Sequence, residues 1–299
     1  MQETRQETIL ISKEEEGLRL DTLLTQRFSN YSRTYFQYLI GQSCVLIDGQ
    51  SLKKREKLRE GDELEICFLL TPEISLVPEN IPLEILYEDT HLLAINKPAG
   101  MVVHPAPGHF SGTFANALLF HCKNLKNEPG NLRPGIVHRL DKETTGVLLA
   151  AKTAEAHQKL VALFAGRAIQ KKYLAICSGT PKEGKIDAPI ARNPKRRQEM
   201  TVSPEGKEAI SVIHLVEKRG NLSLIEVELI TGRTHQIRVH LKHVGHPVIG
   251  DPVYGSQALN EKYGIQRQLL HAHRILFTHP ITHQQLAIEA PIPKEFSLA

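Results

Sequence analysis

Asp141 is the side chain in this sequence whose surroundings best suit catalysis. It stands two residues after Arg139, within a stretch that reads GIVHRLDKETTGVLLAAK from Gly135 to Lys152. A carboxylate can act as a nucleophile or as a general base, and a nearby arginine favours its ionised form. Arginine and aspartate also form ordinary structural ion pairs, so the chemistry needs support from the rest of the chain.

The residues around Asp141 indicate a loop held between two strands. An apolar run at 135–137 precedes the aspartate, and a second apolar run at 147–151 follows the turn-forming letters TTG. A loop fixed between buried strands is a rigid place to mount reactive side chains. Further along, alternation in IQKKYLAI predicts a strand, and the segment GRTHQIRVH predicts a helix that starts near Thr234.

Several motifs together carry a resemblance to a known family. HRLD-x-x-T-T-G closely resembles the HRLD-x-x-T-S-G signature of the RluA-type RNA pseudouridine synthases, with Thr145 in place of the usual serine. NKPAGMVVHP at 96–105, the K-x-Y-L-A pattern at 171–175 and GRTHQIRVH at 232–240 resemble further segments of that family. The resemblance covers roughly residues 17–295 and is strongest to members that act on large-subunit (23S) ribosomal RNA.

The resemblance implies an isomerase that cleaves the C1′–N1 bond of a flipped-out uridine, turns the uracil and rejoins it through C5. As the family implies, Asp141 is the catalytic residue, Tyr173 stacks on the uracil, and Arg233 pairs with Asp141. Arg139 would enter the gap left by the flipped base. The whole predicted set of substrate- and RNA-binding residues in this part of the chain is Arg139, His138, Thr144, Lys172, Arg196 and Arg197. The reaction gains and loses no atoms, so no metal or other cofactor is expected.

The N-terminal part predicts two short helices, then a strand, an Asp-Gly turn and a second strand. This order resembles the S4 RNA-binding domain over residues 17–75, and its predicted RNA contacts are Arg19, Arg33, Lys53, Lys54 and Arg55. Residues 1–16 are expected to be a polar tail, 76–82 a proline-containing linker, and 83–299 the catalytic domain. The predicted fold class is α+β: a mixed, mainly antiparallel sheet with a central cleft, plus the small α+β S4-like domain.

Composition is typical of a cytoplasmic globular protein. Hydrophobic residues make up 41% and charged residues 23% of the 299 residues, and no run of about 18 apolar residues indicates a membrane helix. The four cysteines are scattered, which fits neither a disulfide framework nor a zinc site. Residues 1–75 carry 10 Lys/Arg and 13 Asp/Glu, so they are net −3 and the remainder is +7. A positive catalytic portion suits a polyanionic partner such as RNA, and a monomer is expected.

Other functions remain open at this point. The histidines from His235 to His246 suggest a metal site, but no acidic residue is interleaved with them and the sequence has no HExxH motif. A glycosidase would need a second acid across a cleft from Asp141. A non-catalytic S4-type RNA-binding protein would show the same basic segments, and a pseudouridine synthase that acts on tRNA would show the same motifs.

Overall fold

The structure, a computed structural model, describes residues 4–28, 31, 33–51, 57–69, 76–105, 109, 111–125, 131–196 and 198–297. The chain divides into two compact units. The N-terminal unit comprises Met1–Ile81 and His104–Pro134, and the C-terminal unit comprises Pro82–Val103 and Gly135–Ala299. No helix in the described ranges has the length and apolar character needed to cross a bilayer.

The N-terminal unit contains a small sheet covered by two helices. Its described strands pair in the order β1-β4-β2-β3. The elements are β1 (Thr4–Leu10), α1 (Leu20–Arg27), α2 (Arg33–Gly41), β2 (Val45–Ile47), β3 (Gln50–Ser51) and β4 (Glu63–Leu69). Leu20, Leu24, Phe36 and Phe68 belong to one buried core between helices and strands. The spacing of leucines therefore predicted the helices correctly, because those side chains form the face that packs on the sheet.

Two boundaries of this unit differ from the sequence-based division. The segment expected to be a polar tail includes β1, which pairs antiparallel with β4 along its whole length. Backbone hydrogen bonds fix this edge strand whatever the polarity of its side chains, so apolar periodicity gave no signal for it. The expected linker is also held: the Asn116 side-chain amide donates to the Val77 carbonyl at 2.8 Å, and the Gly112 N–H donates to the Glu79 carboxylate at 3.1 Å.

Asn116 belongs to α3 (Phe114–His121). Thr113 caps this helix, because its hydroxyl accepts the Asn116 N–H. The part of the chain from His104 to Pro134 therefore groups with the N-terminal unit rather than with the catalytic domain to which the sequence assigned it.

The C-terminal unit is built on one large sheet. Its strands are β5 (Ile85–Glu88), β6 (Leu92–Lys97), β7 (Thr145–Ala151), β8 (Gln170–Ser178), β9 (Gly184–Asp187), β12 (Ile210–Arg219), β13 (Leu222–Leu229), β14 (Leu270–Thr278) and β15 (Gln285–Glu289). Within the described ranges eight of these nine strands run in the order β5-β6-β7-β14-β8-β13-β12-β9, and the ninth, β15, pairs with β14. Among the described strands only the β7–β14 pair is parallel. The predicted α+β fold with a mainly antiparallel sheet is confirmed. A separate hairpin joins β10 (Ile190–Arg192) to β11 (Met200–Val202).

The parallel pairing at the centre of the sheet explains one glycine of the TTG turn. Gly146 lies opposite Ala272 and has a φ of +107°. A Cβ atom at this position would lie 2.2 Å from the Ala272 carbonyl oxygen. Only glycine lets β7 and β14 approach this closely.

Three helices accompany the sheet: α4 (Ala154–Ala165), α5 (Gln236–His243) and α6 (Gln257–Tyr263). Thr153 caps α4 by accepting the Ala156 N–H, and Leu160 packs with Val147 and Leu149 of β7 in a buried cluster. Helix α5 begins two residues after the predicted start, directly after His235. These elements fix the positions of the loop before β7, the face of β8 and the first turn of α5.

Candidate active site

An open cleft of 430 Å³ lies in the C-terminal unit. Three segments contribute most of its lining: the loop at 137–144, the end of α4 with the start of β8 at 164–173, and the chain from the end of β13 into α5 at 229–238. Asp141, Tyr173 and Arg233, which the sequence predicts to be catalytic, all line this cleft. So do Arg139, His138 and Thr144 from the predicted substrate-binding set.

The loop that carries Asp141 is anchored at three points. The Leu149 N–H donates to Nε2 of His138 at 2.8 Å. The Lys142 carbonyl accepts a hydrogen bond from the ammonium of Lys97 at 2.9 Å. The Thr144 hydroxyl accepts one from the Gln268 side-chain amide at 2.8 Å. The segment before this loop is not the strand that the sequence predicts, because Ile136 forms only a single bridge to Ala150.

Lys97, the lysine of the NKPAG motif, has a structural role in this site. It is fully buried, and its ammonium also donates to the carbonyls of Pro98 and Met101 at 2.8 and 2.9 Å. Burial lowers the pKa of Lys97 to about 7. Three carbonyl acceptors are satisfied together only by the three donors of the ammonium form, so this geometry opposes the effect of burial. Lys97 thus ties the loop at 97–101 to the residue next to Asp141.

Asp141 is held on one side and free on the other. Nη1 of Arg238 donates to Oδ2 of Asp141 at 2.8 Å. Within the described residues Oδ1 accepts no hydrogen bond, and the nearest cationic or ring nitrogen in an ion-pair contact is Nε2 of His235 at 3.9 Å. The Asp141 side chain is 18% exposed. One oxygen of an oriented carboxylate is therefore available to a molecule in the cleft.

Arg238 bridges Asp141 to a second, deeper carboxylate. Its Nε and Nη2 donate to the two oxygens of Asp251 at 2.7 and 2.9 Å, and Asp251 is fully buried. The guanidinium also lies 5.0 Å from the ring centre of Tyr254. Burial lowers the pKa of Arg238, but hydrogen bonds and charge from Asp251, with a contribution from Asp141, outweigh it and the pKa is raised. Arg238 is therefore a permanent, geometrically fixed cation beneath Asp141.

The predicted ion pair between Arg233 and Asp141 is wrong: Arg238 makes that contact. Arg233 lines the same cleft, but its Nε donates to the Glu208 carbonyl at 2.9 Å. The reason is the position of the helix start. Arg233 precedes α5, whereas Arg238 lies inside it with Ile237 and Leu241 on the buried face. In the sequence, the charge of Arg238 on this otherwise apolar face was the sign that Arg238 has a buried anionic partner.

Strand β8 presents Tyr173 to the cleft. Burial raises the pKa of the Tyr173 phenol, and the negative charge of Asp141 adds to this effect. Its neutral ring is therefore an apolar wall with a hydroxyl at its edge. Alternation along the strand gives the same face to Lys171, which lines the cleft, and the opposite face to Lys172. Lys172, which the sequence predicts to bind substrate or RNA, does not line this cleft, and its ammonium pairs with Glu226 at 2.8 Å on the other face.

His138 has a positioning contact that excludes a charged role. Burial lowers the pKa of His138 to about 3, and the positive charge of Lys171 adds to this effect. Its Nε2 accepts a backbone N–H, and its ring stacks on Phe164 at 4.7 Å between centroids. His138 therefore fixes the loop as a neutral ring, although it also lines the cleft.

His235 lines the cleft, although the sequence analysis considered it only as a possible metal ligand. Its Nδ1 lies 2.8 Å from the Tyr254 hydroxyl, which accepts the Met200 N–H. Burial lowers the pKa of His235, and the charge of Asp141 opposes that shift. A hydroxyl proton donated to Nδ1 leaves the ring proton of a neutral His235 on Nε2, the nitrogen nearer to Asp141.

Of the other predicted RNA-binding residues, the structure describes Arg19 and Arg33 in the N-terminal unit and Arg196 in the C-terminal unit. Arg19 and Arg33 both make two hydrogen bonds to the fully buried Asp21, so their guanidinium groups are fixed while roughly half of each side chain remains exposed. Arg196 is exposed and pairs with Glu199. Lys53, Lys54, Arg55 and Arg197 lie outside the described residues.

The histidine-rich stretch does not offer a common set of free ligand atoms. Both ring nitrogens of buried His240 have partners, the Ser211 hydroxyl and the Ala188 carbonyl, each at 3.0 Å. Nδ1 of His246 contacts the Ser178 carbonyl at 2.8 Å. These contacts give both histidines a structural role.

Comparison with known proteins identifies the family. The sequence profile of RNA pseudouridylate synthase matches residues 91–243, which include the Asp141 loop, β8 and α5. The chain belongs to the RNA pseudouridylate synthase family. It is 40% identical to the uncharacterized RNA pseudouridine synthase YlyB of Bacillus subtilis, over 97% of this chain and 95% of that protein. It is 42% identical to the ribosomal large subunit pseudouridine synthase D of Zymomonas mobilis, over 98% and 96% of the two chains.

Solved structures agree with this membership. The structure of human RNA pseudouridylate synthase domain containing 4 superposes with a TM-score of 0.57 at 27% identity, over 71% of this chain and 90% of that one. Human RNA pseudouridylate synthase domain containing 1 has the same fold, with a TM-score of 0.58 at 24% identity over 71% and 84%. The protein is an RNA pseudouridine synthase, an isomerase that acts on RNA, and the purely RNA-binding alternative is thereby excluded.

Proposed function

We propose that Asp141 is the catalytic carboxylate of this pseudouridine synthase and that it acts on the ribose of a uridine flipped into the cleft. The observation that carries the proposal is the asymmetric environment of Asp141. One of its oxygens is fixed by Arg238, and the other is free beside an open volume of 430 Å³. Addition to C1′ and removal of a ribose proton are the two routes available to a carboxylate, and both need a free, oriented oxygen.

The residues around Asp141 suit an extruded base. The buried ring of Tyr173 offers a stacking surface in the same cleft, and Arg139 is an exposed cation on the loop two residues before Asp141. Removing a uridine from its stack costs a few kcal/mol. In our proposal Tyr173 offsets part of this cost by stacking on the uracil. Arg139 fills the space that the base leaves in the RNA.

The test of this assignment is Asp141→Asn, which keeps the shape of the side chain and removes its charge. We expect turnover to be abolished while RNA binding survives, because the amide still accepts the hydrogen bond from Arg238. Tritium release from RNA labelled at C5 of uridine measures turnover, and filter binding measures affinity. A variant that released tritium at the wild-type rate would show that another residue performs the chemistry.

We further propose that the substrate is 23S ribosomal RNA of the large subunit or its precursor. Similar proteins at about 40% identity include ribosomal large subunit pseudouridine synthase D of Zymomonas mobilis and Pseudomonas aeruginosa. In this proposal the N-terminal unit is an S4-like RNA-binding module. Its α1–α2 pair, packed on a small sheet, displays Arg19 and Arg33 in fixed positions. Such groups contact phosphates and position a protein without reading sequence.

Pseudouridine mapping tests the substrate. RNA from cells with and without this protein would be compared at single-nucleotide resolution, in both ribosomal and transfer RNA. We expect pseudouridines that depend on the protein in 23S RNA. Loss of pseudouridine only in transfer RNA would assign the enzyme to that substrate instead.

A further inference from the structure

In the part of the chain that the structure describes, Lys171 is a buried cation with no counterion. Its side chain is on the cleft face of β8, and the residue is only 8% exposed. In the described part of the chain no hydrogen bond or ion pair reaches its ammonium. Burial lowers the pKa of Lys171, and the positive charge of Arg167 lowers it further. A buried ammonium whose charged neighbour has the same sign is unfavourable in the free protein, and such groups recur at binding sites.

Arg167 stands beside Lys171 in an unusual backbone conformation. It follows the C-terminus of α4 with a φ of +59°, at a position where helices most often carry glycine. The N–H groups of Arg167 and Ala168 donate back to the carbonyls of Phe164 and Leu163, as in a helix C-cap. The guanidinium lines the cleft and forms an ion pair with Glu208.

The whole cleft carries an excess of positive charge. Five Lys or Arg side chains and one Asp line it, and the Asp is already paired with one of the five. Lys171 has no anionic neighbour among the groups that shift its pKa, whereas Arg238 has two. Among the described residues, the cleft therefore has a region where Arg238 holds a carboxylate and a region where Lys171 has no anionic partner and Arg167 shares its charge with the exposed Glu208.

We propose that Lys171 and Arg167 form a binding site for a phosphate of the RNA backbone next to the uridine in the cleft. The proposal rests on the proposed function, because it places the nucleotide's backbone beside the base pocket of Tyr173. Lys171 and Tyr173 are two residues apart on one strand face, so their side chains are neighbours. A phosphate bound by Lys171 would position the uridine along β8 without reading its base.

The first experiment measures thermal unfolding with inorganic phosphate as the probe, at constant ionic strength. Lys171→Met keeps the length of the side chain and removes its charge. We expect this variant to be more heat-stable than the wild type without phosphate, and to gain less from added phosphate. Lys172→Met is the matched control, since that lysine pairs with Glu226 on the opposite face, and its phosphate response should equal that of the wild type. A Lys171→Met variant that is less stable than the wild type, or that keeps the full phosphate response, would overturn the proposal.

The second experiment places the site on RNA. A fragment that contains a mapped target uridine is made with single uncharged methylphosphonate linkages on either side of that uridine. At one linkage the wild type should lose about tenfold in affinity, a typical value for a charge-assisted hydrogen bond. Lys171→Met should lose nothing at that linkage, and Lys171→Arg should recover the sensitivity. Equal losses for wild type and Lys171→Met at every linkage would mean that Lys171 contacts no phosphate.

The two experiments separate failure of this inference from failure of the proposed function. If the wild type isomerised no uridine in ribosomal or transfer RNA, the proposed substrate would be wrong, yet the inorganic-phosphate comparison would still decide whether Lys171 binds an anion. If the enzyme is active but Lys171→Met behaves like Lys172→Met in both experiments, the catalytic assignment stands and the phosphate site does not.

Discussion

Replacing Arg238 by glutamine tests whether one guanidinium supports both the fold and the proposed catalytic carboxylate of Asp141. Arg238→Gln removes the positive charge but keeps a side chain that can donate hydrogen bonds. In the native protein three of its nitrogens donate to Asp141 and Asp251 at 2.7 to 2.9 Å. Glutamine can neither reach both carboxylates nor neutralise them.

The magnitude follows from burial. Asp251 is fully buried and Arg238 is 5% exposed, so the substitution leaves an uncompensated carboxylate inside the protein. Breaking a buried pair in this way costs about 3–5 kcal/mol of unfolding free energy. The effect on rate has a second cause, because Asp141 loses the contact that orients it. A displacement of about 1 Å at a catalytic group lowers a rate by roughly 100-fold.

The assay combines urea unfolding with single-turnover tritium release, at a temperature where circular dichroism shows the variant folded. Arg233→Gln is the matched control: it lies in the same motif and lines the same cleft, but it does not contact Asp141. We expect it to unfold near the wild-type urea concentration and to keep most of the single-turnover rate at saturating RNA.

The reasoning would be refuted by the reverse pattern. If Arg233→Gln abolished the single-turnover rate while Arg238→Gln unfolded and reacted like the wild type, the contact between Arg238 and Asp141 would have no role in solution. If Arg238→Gln lost stability but reacted at the wild-type rate, its role would be confined to Asp251.

Three further predictions concern the support of the site. Lys97→Met should lower the unfolding free energy by about 3 kcal/mol, since it leaves three carbonyls without their donor, and a urea midpoint equal to that of the wild type would contradict this. Gly146→Ala should lower it by a similar amount, about 3 kcal/mol, because the new methyl group meets the Ala272 carbonyl and the backbone stays at positive φ; unchanged thermal unfolding would count against that pairing. Between pH 6.5 and about 3 the unfolded chain takes up a proton that folded His138 does not. Stability should therefore fall as the pH drops through this range, by up to about 1.4 kcal/mol per pH unit, and His138→Gln should flatten the slope. Equal slopes in urea titrations of the two proteins would disprove this last expectation.

Much of the local structure was predictable because it depends on neighbouring residues. The threonines that cap α3 and α4, Thr113 and Thr153, mark both helix starts, and the capping contacts are present. Strand β8 followed from its alternation. The motif around Asp141 located a loop that lines the cleft, and the assignment of the chain to the pseudouridine synthases is confirmed by its relatives.

What the sequence missed depends on which way a side chain points. Arg233 and Arg238 are five residues apart in one motif, and only the start of α5 decides which of them reaches Asp141. Lys171 and Lys172 are adjacent, and the two-residue period of a strand places Lys171 on the same face as Tyr173. Applied to the sequence, that rule would have selected Lys171 as the lysine that lines the cleft. The partner Asp251 lies 13 positions beyond Arg238, and no local pattern links the two.

The order of strands in the large sheet has a consequence for synthesis of the protein. β14, from Leu270 to Thr278, lies between β7 and β8, although both are translated about a hundred residues earlier. A nascent chain that already contains Asp141, Tyr173 and Arg238 still lacks β14, the strand that joins β7 to β8. The enzyme can therefore assemble its active site only after Thr278, the last residue of β14, has been synthesised. A premature stop codon before residue 270 would leave every proposed catalytic residue in place and produce a protein without activity.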